Sequence, residues 1–352
     1  MDHEPWMQRC LQLARNGAGE VAPNPMVGAV LTQGDRILAE GWHRAYGGPH
    51  AEVECLWAFG DGAIPADAVM YVSLEPCAHT GLTPPCADLL IARGVRTVVV
   101  GCIDPDPRVA GQGIARLREH DVTVIEPVLE AECRWTNRRF ITLIEQQRPY
   151  VILKWARSSD GFLDRHPHTA RSAVRISSFA TDVLVHRWRS EEQAIMVGSR
   201  TVVHDDARLN VRHVAGSSPL RVVLDRKAAT RADSKVFTDG APTLLFTERM
   251  RDDVEAEQCV IAPDDEPLSM VLAELNRRKV RSVLVEGGGA LLAHFLRLGL
   301  WDEAREIDGD ILLQHGTHAP HMAITPTRSF TSDVDGIHLY SRQNLPDPAW
   351  SW

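Results

Sequence analysis

His50-Ala51-Glu52, then Pro76-Cys77, then Cys86 is the set of residues on which the reading of this chain turns. A catalytic zinc takes three protein ligands from neutral imidazole and thiolate and leaves its fourth tetrahedral position open to water. His50, Cys77 and Cys86 fill that quota. Metal ligation draws the pKa of such a water toward about 7, which makes a nucleophile at neutral pH. Glu52 lies two residues past His50, and residues i and i+2 of a helix do not share a face, so it need not be a fourth ligand. It is suited instead to moving protons: from the attacking water to a ring nitrogen, then to a departing amino group. The net reaction converts C–NH2 to C=O with loss of ammonia.

Zinc deaminases carry H-x-E with P-C-x-x-C, the Glu being the acid/base group. This sequence departs from that signature in one place: eight residues, Ala78 to Pro85, separate the cysteines. Gly81 and the pair Pro84-Pro85 mark an ordered turn, so the segment is expected to form a loop that returns Cys86 to the metal at the start of a helix. Taken singly, His50 reads as an ordinary loop histidine and each cysteine as a core thiol. The metal reading rests on the whole set, with Glu52 and Pro76 in register.

With 352 residues the chain is long enough for two domains. Hydrophobic residues at 44% and charged residues at 24% fit a globular protein with two cores. A formal net charge of −9 argues against nonspecific nucleic-acid binding, which needs Lys and Arg to neutralise phosphates, and favours a small substrate. The opening Met1-Asp2-His3-Glu4-Pro5-Trp6 is not a signal peptide, and no segment approaches the roughly 20 apolar residues of a membrane span. A cytoplasmic protein without membrane partners is therefore expected. Seven cysteines do not form a disulfide framework; Cys10, Cys55, Cys102, Cys133 and Cys259 read as reduced, mostly buried thiols.

Met7, Cys10, Leu11 and Ala14 recur at helical spacing, ended by Asn16-Gly17. A hairpin is expected over Val27 to Leu31 and Ile37 to Trp42, turning at Gln33-Gly34-Asp35. Then come a helix from Ala51, a strand at Val69 to Ser73, a helix at Cys86 to Arg93, a strand at Val95 to Gly101, a helix at Ile114 to His120 and a strand at Val122 to Ile125. This is a three-layer α/β pattern, with the metal half-sites at helix starts, where the positive helix ends favour thiolates. A charged helix from Glu130 to Gln147 leads to Arg148-Pro149, the predicted boundary between domains 1–148 and 149–352. The second half is again α/β. Its expected strands are Tyr150 to Trp155, Ala194 to Val197, Leu220 to Leu224, Thr243 to Phe246 and Ser282 to Val285, and its expected helices are Ser178 to Ser190, Leu268 to Lys279 and Ala290 to Leu298.

In that half, Glu286-Gly287-Gly288-Gly289 closes a strand just before a helix, so backbone N–H groups and the helix N-terminus could cradle a phosphate. It is not the G-x-G-x-x-G fingerprint. A second cluster runs from His186-Arg187-Trp188-Arg189 through Gly198-Ser199-Arg200-Thr201 and Asp205-Asp206 to Leu209-Asn210-Val211-Arg212. By residue type it holds several basic groups suited to a phosphorylated ligand; the Asp pair alone reads equally as metal site or helix cap.

Together, Asn24-Pro25-Met26-Val27-Gly28, Pro49-His50-Ala51-Glu52-Val53, Leu74-Glu75-Pro76-Cys77 with Thr83-Pro84-Pro85-Cys86, and Asp104-Pro105-Asp106-Pro107 resemble the bifunctional riboflavin-biosynthesis deaminase/reductase family. Leu153-Lys154-Trp155, Asp160-Gly161, the segment from His186 to Arg212 and Val285-Glu286-Gly287-Gly288 are similar to its reductase half; the resemblance runs to about Glu303, and the tail from Arg305 is less distinctive. It implies a cytidine-deaminase-like three-layer α/β/α domain followed by a dihydrofolate-reductase-like α/β domain. The implied cofactors are Zn2+ and NADPH, the implied substrate a phosphorylated diaminopyrimidine, and a homo-oligomer is expected. The resemblance also implies that Asn24, His43 and His79 line the deaminase pocket. Arg189, Leu209, Arg212 and Glu286 would meet the reductase substrate, Arg189 and Arg212 at its phosphate. Ala156, Arg175, Thr201, Asp205 and the run Gly288, Gly289, Ala290, Leu291, Leu292, Ala293 and His294 would hold NADPH, with Arg226 at its 2′-phosphate. Three departures stand out: Leu82 where the family usually has Arg or Lys, Arg175 where Trp is common, and Ala207 after the Asp pair in place of proline.

Two other readings are open on sequence. A nucleoside or tRNA deaminase needs a basic or aromatic channel for flipped bases. A structural zinc protein closes its site with four protein ligands, and only three are evident.

Overall fold

Ala29 and Leu31, Met70 and Val72, and Val98 and Val100 point to one side of a sheet, while Val30, Tyr71 and Val99 point to the other. This two-residue alternation, apolar on both faces, demands helices above and below. The computed structural model, which describes residues 2–80, 84–107, 109–167 and 174–343, supplies them. The chain divides into two compact units, the first running to Gln147 and the second beginning at Arg148.

The first unit contains α1 (Glu4–Ala14), a 3-10 turn (Arg15–Gly17), β1 (Gly28–Gln33), β2 (Arg36–Trp42), α2 (Ala51–Phe59), β3 (Ala68–Val72), α3 (Cys86–Ala92), β4 (Thr97–Val100), α4 (Gln112–Glu119), β5 (Thr123–Ile125), α5 (Glu130–Thr136) and α6 (Arg138–Gln146). Its sheet has the order β2-β1-β3-β4-β5; the hairpin and the β1–β3 pair are antiparallel, the other two pairs parallel. Cys55, Leu56, Leu90, Ile114 and Leu117 from α2, α3 and α4 cover one face, and Met7, Leu11 and Cys133 from α1 and α5 cover the other. The helix expected over Glu130 to Gln147 is instead two, broken at Asn137, whose backbone leaves the helical region (φ −100°, ψ 18°). The buried Asn137 side chain accepts from Met26 N (2.8 Å) and donates to Met26 O (2.9 Å), so it binds the peptide of Met26 as a strand neighbour would.

The second unit contains β6 (Tyr150–Arg157), α7 (Phe179–Glu191), β7 (Ala194–Gly198), α8 (Ser199–Asp205), β8 (Leu220–Leu224), α9 (Lys235–Thr238), β9 (Thr243–Thr247), β10 (Glu257–Val260), α10 (Pro267–Arg277), β11 (Ser282–Val285), α11 (Gly289–Leu298), β12 (Glu303–Asp308), β13 (Arg328–Ser332) and β14 (Asp335–Ser341). Among the described residues its sheet has the order β10-β9-β8-β7-β11-β6-β12-β14-β13, parallel from β10 to β12 and antiparallel at β14 and β13. The carboxyl ends of β6, β7, β8 and β11 therefore lie on one side, where open parallel sheets place their ligands.

The strand β12 has no apolar signature, yet it lies inside the sheet between β6 and β14. Its charges are matched in place. Arg305 Nε donates to Glu303 Oε1 (2.6 Å), Tyr150 Oη to Glu303 Oε2 (3.3 Å), and Trp155 Nε1 and Tyr340 Oη to the two Glu306 oxygens (3.3 and 2.6 Å). No helix among the described residues is long and apolar enough to cross a membrane.

Replacing Asn137 with Ala strands the buried N–H and C=O of Met26. Chemical denaturation should show a loss of about 1–3 kcal/mol, the cost of leaving such groups unsatisfied.

Candidate active sites

Two of the three predicted metal ligands sit at the start of a helix and the third in a loop. His50 is the residue before α2 and has extended backbone (φ −73°, ψ 165°), Cys86 is the first residue of α3, and Cys77 lies in the loop beyond β3. Neither helix has a side-chain cap. At α3 that task falls to Cys77, whose Sγ accepts the Cys86 N–H (3.3 Å) while its carbonyl accepts the Ala87 N–H (3.1 Å). Hydrogen bonds from Cys86 and His50 hold the Cys77 thiol well below its ordinary pKa, against the effect of burial.

The three ligand atoms all lie within 4.8 Å of one another. His50 Nδ1 is 3.6 Å from Cys77 Sγ and 3.3 Å from Cys86 Sγ. A tetrahedral ion with Zn–S near 2.3 Å and Zn–N near 2.05 Å holds sulfur and nitrogen ligands about 3.6 Å apart, so the donor set fits zinc. Among the described residues no fourth His, Cys, Asp or Glu joins this group. Glu52, in the first turn of α2, is 3% exposed, and burial pushes its carboxyl up to about 7.

Beside the group, the His43 ring lies edge-on to that of His50, 5.5 Å between centroids. His43 Nδ1 is 2.8 Å from Pro49 O, and its Nε2 is 3.2 Å from Asn24 Nδ2. Both contacts are met by the tautomer with the proton on Nδ1. Asn24 thus contacts His43, whose ring lies against His50, and His79 is exposed on the loop that follows Cys77. Leu82 lies outside the described residues.

In the second unit a cavity of 1230 Å3 opens at the carboxyl ends of β6, β7, β8 and β11. Single-ligand pockets run to roughly 300–1,000 Å3, so this one has room for two. At its floor Arg189 grips Glu286 with two hydrogen bonds (Nε 2.6 Å, Nη2 2.8 Å), and Lys154 Nζ lies 3.8 Å from the same carboxylate. Burial alone would raise the Glu286 carboxyl, but the Arg189 and Lys154 charges hold it at about 2. Burial pulls the Lys154 ammonium down. At another wall α11 begins at Gly289, preceded by its N-cap Gly288 with no side-chain cap, and Gly288, Gly289 and Ala290 line the space. A Cβ on Gly288 would meet nothing nearer than Thr201 Oγ1 at 3.9 Å, and uncapped helix N–H groups beside open space fit the anionic groups of a dinucleotide.

Most of the expected reductase residues line this one cavity: Leu209, Arg212, Ala156, Arg175, Thr201, Asp205, Arg226, Leu291 and His294, besides those just named. Leu292 and Ala293 do not. The helical period turns Leu292 into the core, fully buried, and Ala293 to an exposed face. The Asp pair divides its roles: Asp205 lines the cavity, while Asp206 Oδ1 accepts the first N–H of α9, from Lys235 (2.9 Å). Arg175 pairs with Asp182 at 2.5 Å, and Arg226 with Glu248 at 2.7 Å. Leu209, buried on the cavity wall, holds left-handed backbone (φ 56°), a strain that sequence does not display. Lys154 was absent from the expected site; its signal was a lysine within the otherwise apolar Tyr150-Val151-Ile152-Leu153-Lys154-Trp155.

Residues 1–102 match the family described as the cytidine and deoxycytidylate deaminase zinc-binding region, and residues 149–308 match the RibD C-terminal domain. The riboflavin biosynthesis protein RibD of Synechocystis sp. is 40% identical over 303 residues, covering 83% of this chain and 80% of that protein. That of Bacillus amyloliquefaciens is 35% identical over 350 residues, covering 97% and 92%. Among solved structures, Acinetobacter baumannii RibD is similar with a TM-score of 0.86 at 32% identity, covering 97% of this chain and 99% of its own. The Thermotoga maritima diaminohydroxyphosphoribosylaminopyrimidine deaminase/5-amino-6-(5-phosphoribosylamino)uracil reductase is similar with a TM-score of 0.83 at 34% identity, covering 96% and 97%. With ligand geometry, cavity and both halves in agreement, the chain belongs to the bifunctional riboflavin-biosynthesis family, in which a zinc deaminase domain is joined to a reductase domain.

Proposed function

We propose that this chain deaminates 2,5-diamino-6-(5-phosphoribosylamino)pyrimidin-4-one through residues 1–148 and reduces the ribose side chain of the product to ribityl through residues 149–352. The observation that carries the reading is the convergence of His50, Cys77 and Cys86 within 4.8 Å, with the buried Glu52 in the first turn of α2. His50, Cys77 and Cys86 hold zinc, which when bound makes water a nucleophile near neutral pH. Glu52 carries the protons: it accepts one from the attacking water and passes it to the ring nitrogen, then accepts the second proton of that oxygen and delivers it to the amino group, which leaves as ammonia while the C=O forms. Asn24 and His43, coupled at 3.2 Å, orient the ring, and His79 completes the wall.

In the second half NADPH, when bound, supplies the hydride. Thr201, Asp205, Ala156 and the start of α11 hold it against the carboxyl ends of the strands, with Arg175 and His294 at the rim. Leu209 and Glu286 position the sugar carbonyl. The guanidinium of Arg189 is already taken by Glu286 and, through Nη1, by Asn210 O at 3.1 Å. The phosphate contact assigned jointly to Arg189 and Arg212 therefore falls chiefly to Arg212, which is exposed at the cavity. Arg226, shared with Glu248, takes the 2′-phosphate. The proposed assembly is a homo-oligomer acting on this small substrate without nucleic acid, which sedimentation reads directly.

Incubating the diamino substrate with zinc-loaded protein and NADPH should release ammonia, consume NADPH and give a product carrying both mass changes; a product unchanged in mass overturns the reading. Glu52→Gln should retain zinc and lower ammonia release by about 10²–10⁴-fold, the usual contribution of a general acid–base group. Removing zinc should stop ammonia release and spare reduction of the deaminated intermediate. Arg226→Ala should raise KM for NADPH several-fold and leave KM for NADH unchanged.

His186 bears on pH. It is buried, its Nδ1 accepts the Arg212 N–H (3.1 Å), and burial together with Arg189 and Arg212 holds its pKa at about 4. Its folded pKa lies below the unfolded value near 6.5, so its contribution is complete above about pH 6.5 and is lost toward pH 4. Thermal melts of the wild type should fall across that window, and those of His186→Asn should fall less.

A further inference from the structure

Glu75 takes no part in the chemistry above, yet it is 4% exposed and immediately precedes Pro76-Cys77. One of its oxygens accepts the N–H groups of Gly111 (2.9 Å) and Asp104 (3.3 Å); the other accepts those of Gly113 (2.9 Å) and Ile114 (3.3 Å). Gly111 is the N-cap position of α4, and that helix has no side-chain cap of its own. The Glu75 carboxylate therefore caps α4 from a distant part of the chain, and the positive end of the helix in turn offsets its buried charge. The backbone joins in: Glu75 N donates to Cys102 O (3.0 Å), and a Cβ on Gly113 would lie 1.8 Å from Pro76 O, so the Pro76 peptide lies flush against the first turn of α4. One residue further on, Cys77 is tied to α3 through its Sγ and its carbonyl. The segment Glu75-Pro76-Cys77 is thus clamped to α4 on one side and to α3 on the other.

We infer that Glu75 is a positioning residue of the deaminase centre: by anchoring the Glu75–Cys77 segment to the start of α4 it sets where Cys77 Sγ meets the metal. The inference rests on the zinc reading of His50, Cys77 and Cys86. A buried side chain that served stability alone would change the melting temperature and leave the geometry of the bound metal untouched.

The test uses the full-length protein loaded with cobalt(II) as a spectroscopic stand-in for zinc. Glu75→Gln turns an NH2 group toward two of the four amide donors, so half of the clamp becomes repulsive. The expected result is a displaced cobalt ligand-field band and a fall of at least tenfold in ammonia release per bound metal, mostly in kcat. NADPH oxidation on the deaminated intermediate should stay within twofold of wild type. Glu75→Asp, which keeps the charge one methylene short, should shift the band in the same sense and carries the test if the Gln variant does not fold. A cobalt spectrum superimposable on wild type, with release per bound metal within twofold in the folded variant, overturns the inference even if the melting temperature falls. Wild-type protein that binds no cobalt at this site overturns the zinc reading itself.

Discussion

The hydrogen bond from the Cys86 amide to the Cys77 sulfur is the contact on which the first half of this protein depends. A helix start leaves unsatisfied N–H groups, and a thiolate is a strong acceptor for them. Because α3 is capped by Cys77 itself, the helix cannot form in this place without bringing its first residue, Cys86, beside the other sulfur. The long interval between the cysteines is then immaterial to the metal, since what sets their distance is the capped turn and not the loop. His50 arrives by the same device, as the residue just outside α2, and the positive ends of both helices favour the anions gathered there.

The second half solves a different problem, that of holding charge inside a cavity. Arg189, Glu286 and Lys154 would each be costly to bury alone. Two hydrogen bonds between Arg189 and Glu286, with the ammonium of Lys154 nearby, keep the carboxylate ionised and leave a floor that is polar but internally matched. Parallel strands bring this floor, the left-handed Leu209 and the uncapped start of α11 to one side of the sheet. The same matching of charge recurs in β12, where Arg305 pairs with Glu303, Tyr150 donates to Glu303, and Trp155 and Tyr340 donate to Glu306.

Elements whose signal is a short apolar run or a local cap were legible from residues alone: Leu220–Leu224 and Ser282–Val285 are strands at the expected positions, and Ser178 caps α7 as a serine before a helix should. Those stabilised by distant polar partners were not. The strand β12 reads as a charged stretch because Tyr150, Trp155 and Tyr340, which hydrogen-bond its glutamates, are more than thirty residues away in sequence. The break at Asn137 depends on Met26, 111 residues earlier. Lys154 reads as an interruption of a strand until the fold sets Glu286 beside it.

The sequence by itself determined the chemistry: a histidine, two cysteines and a glutamate in this order admit few uses, because zinc ligation and proton transfer demand particular atoms. It also determined the alternation of strands and helices, since burial on both faces of a sheet imposes a period. Only the tertiary structure decided which of those atoms meet, that Arg189 spends its donors on Glu286, that Leu292 faces the core while Gly288 faces the cavity, and that Glu75 caps a helix beginning 37 residues later. Such pairings depend on distances closed by the packing of whole elements, and no local pattern of residues records them.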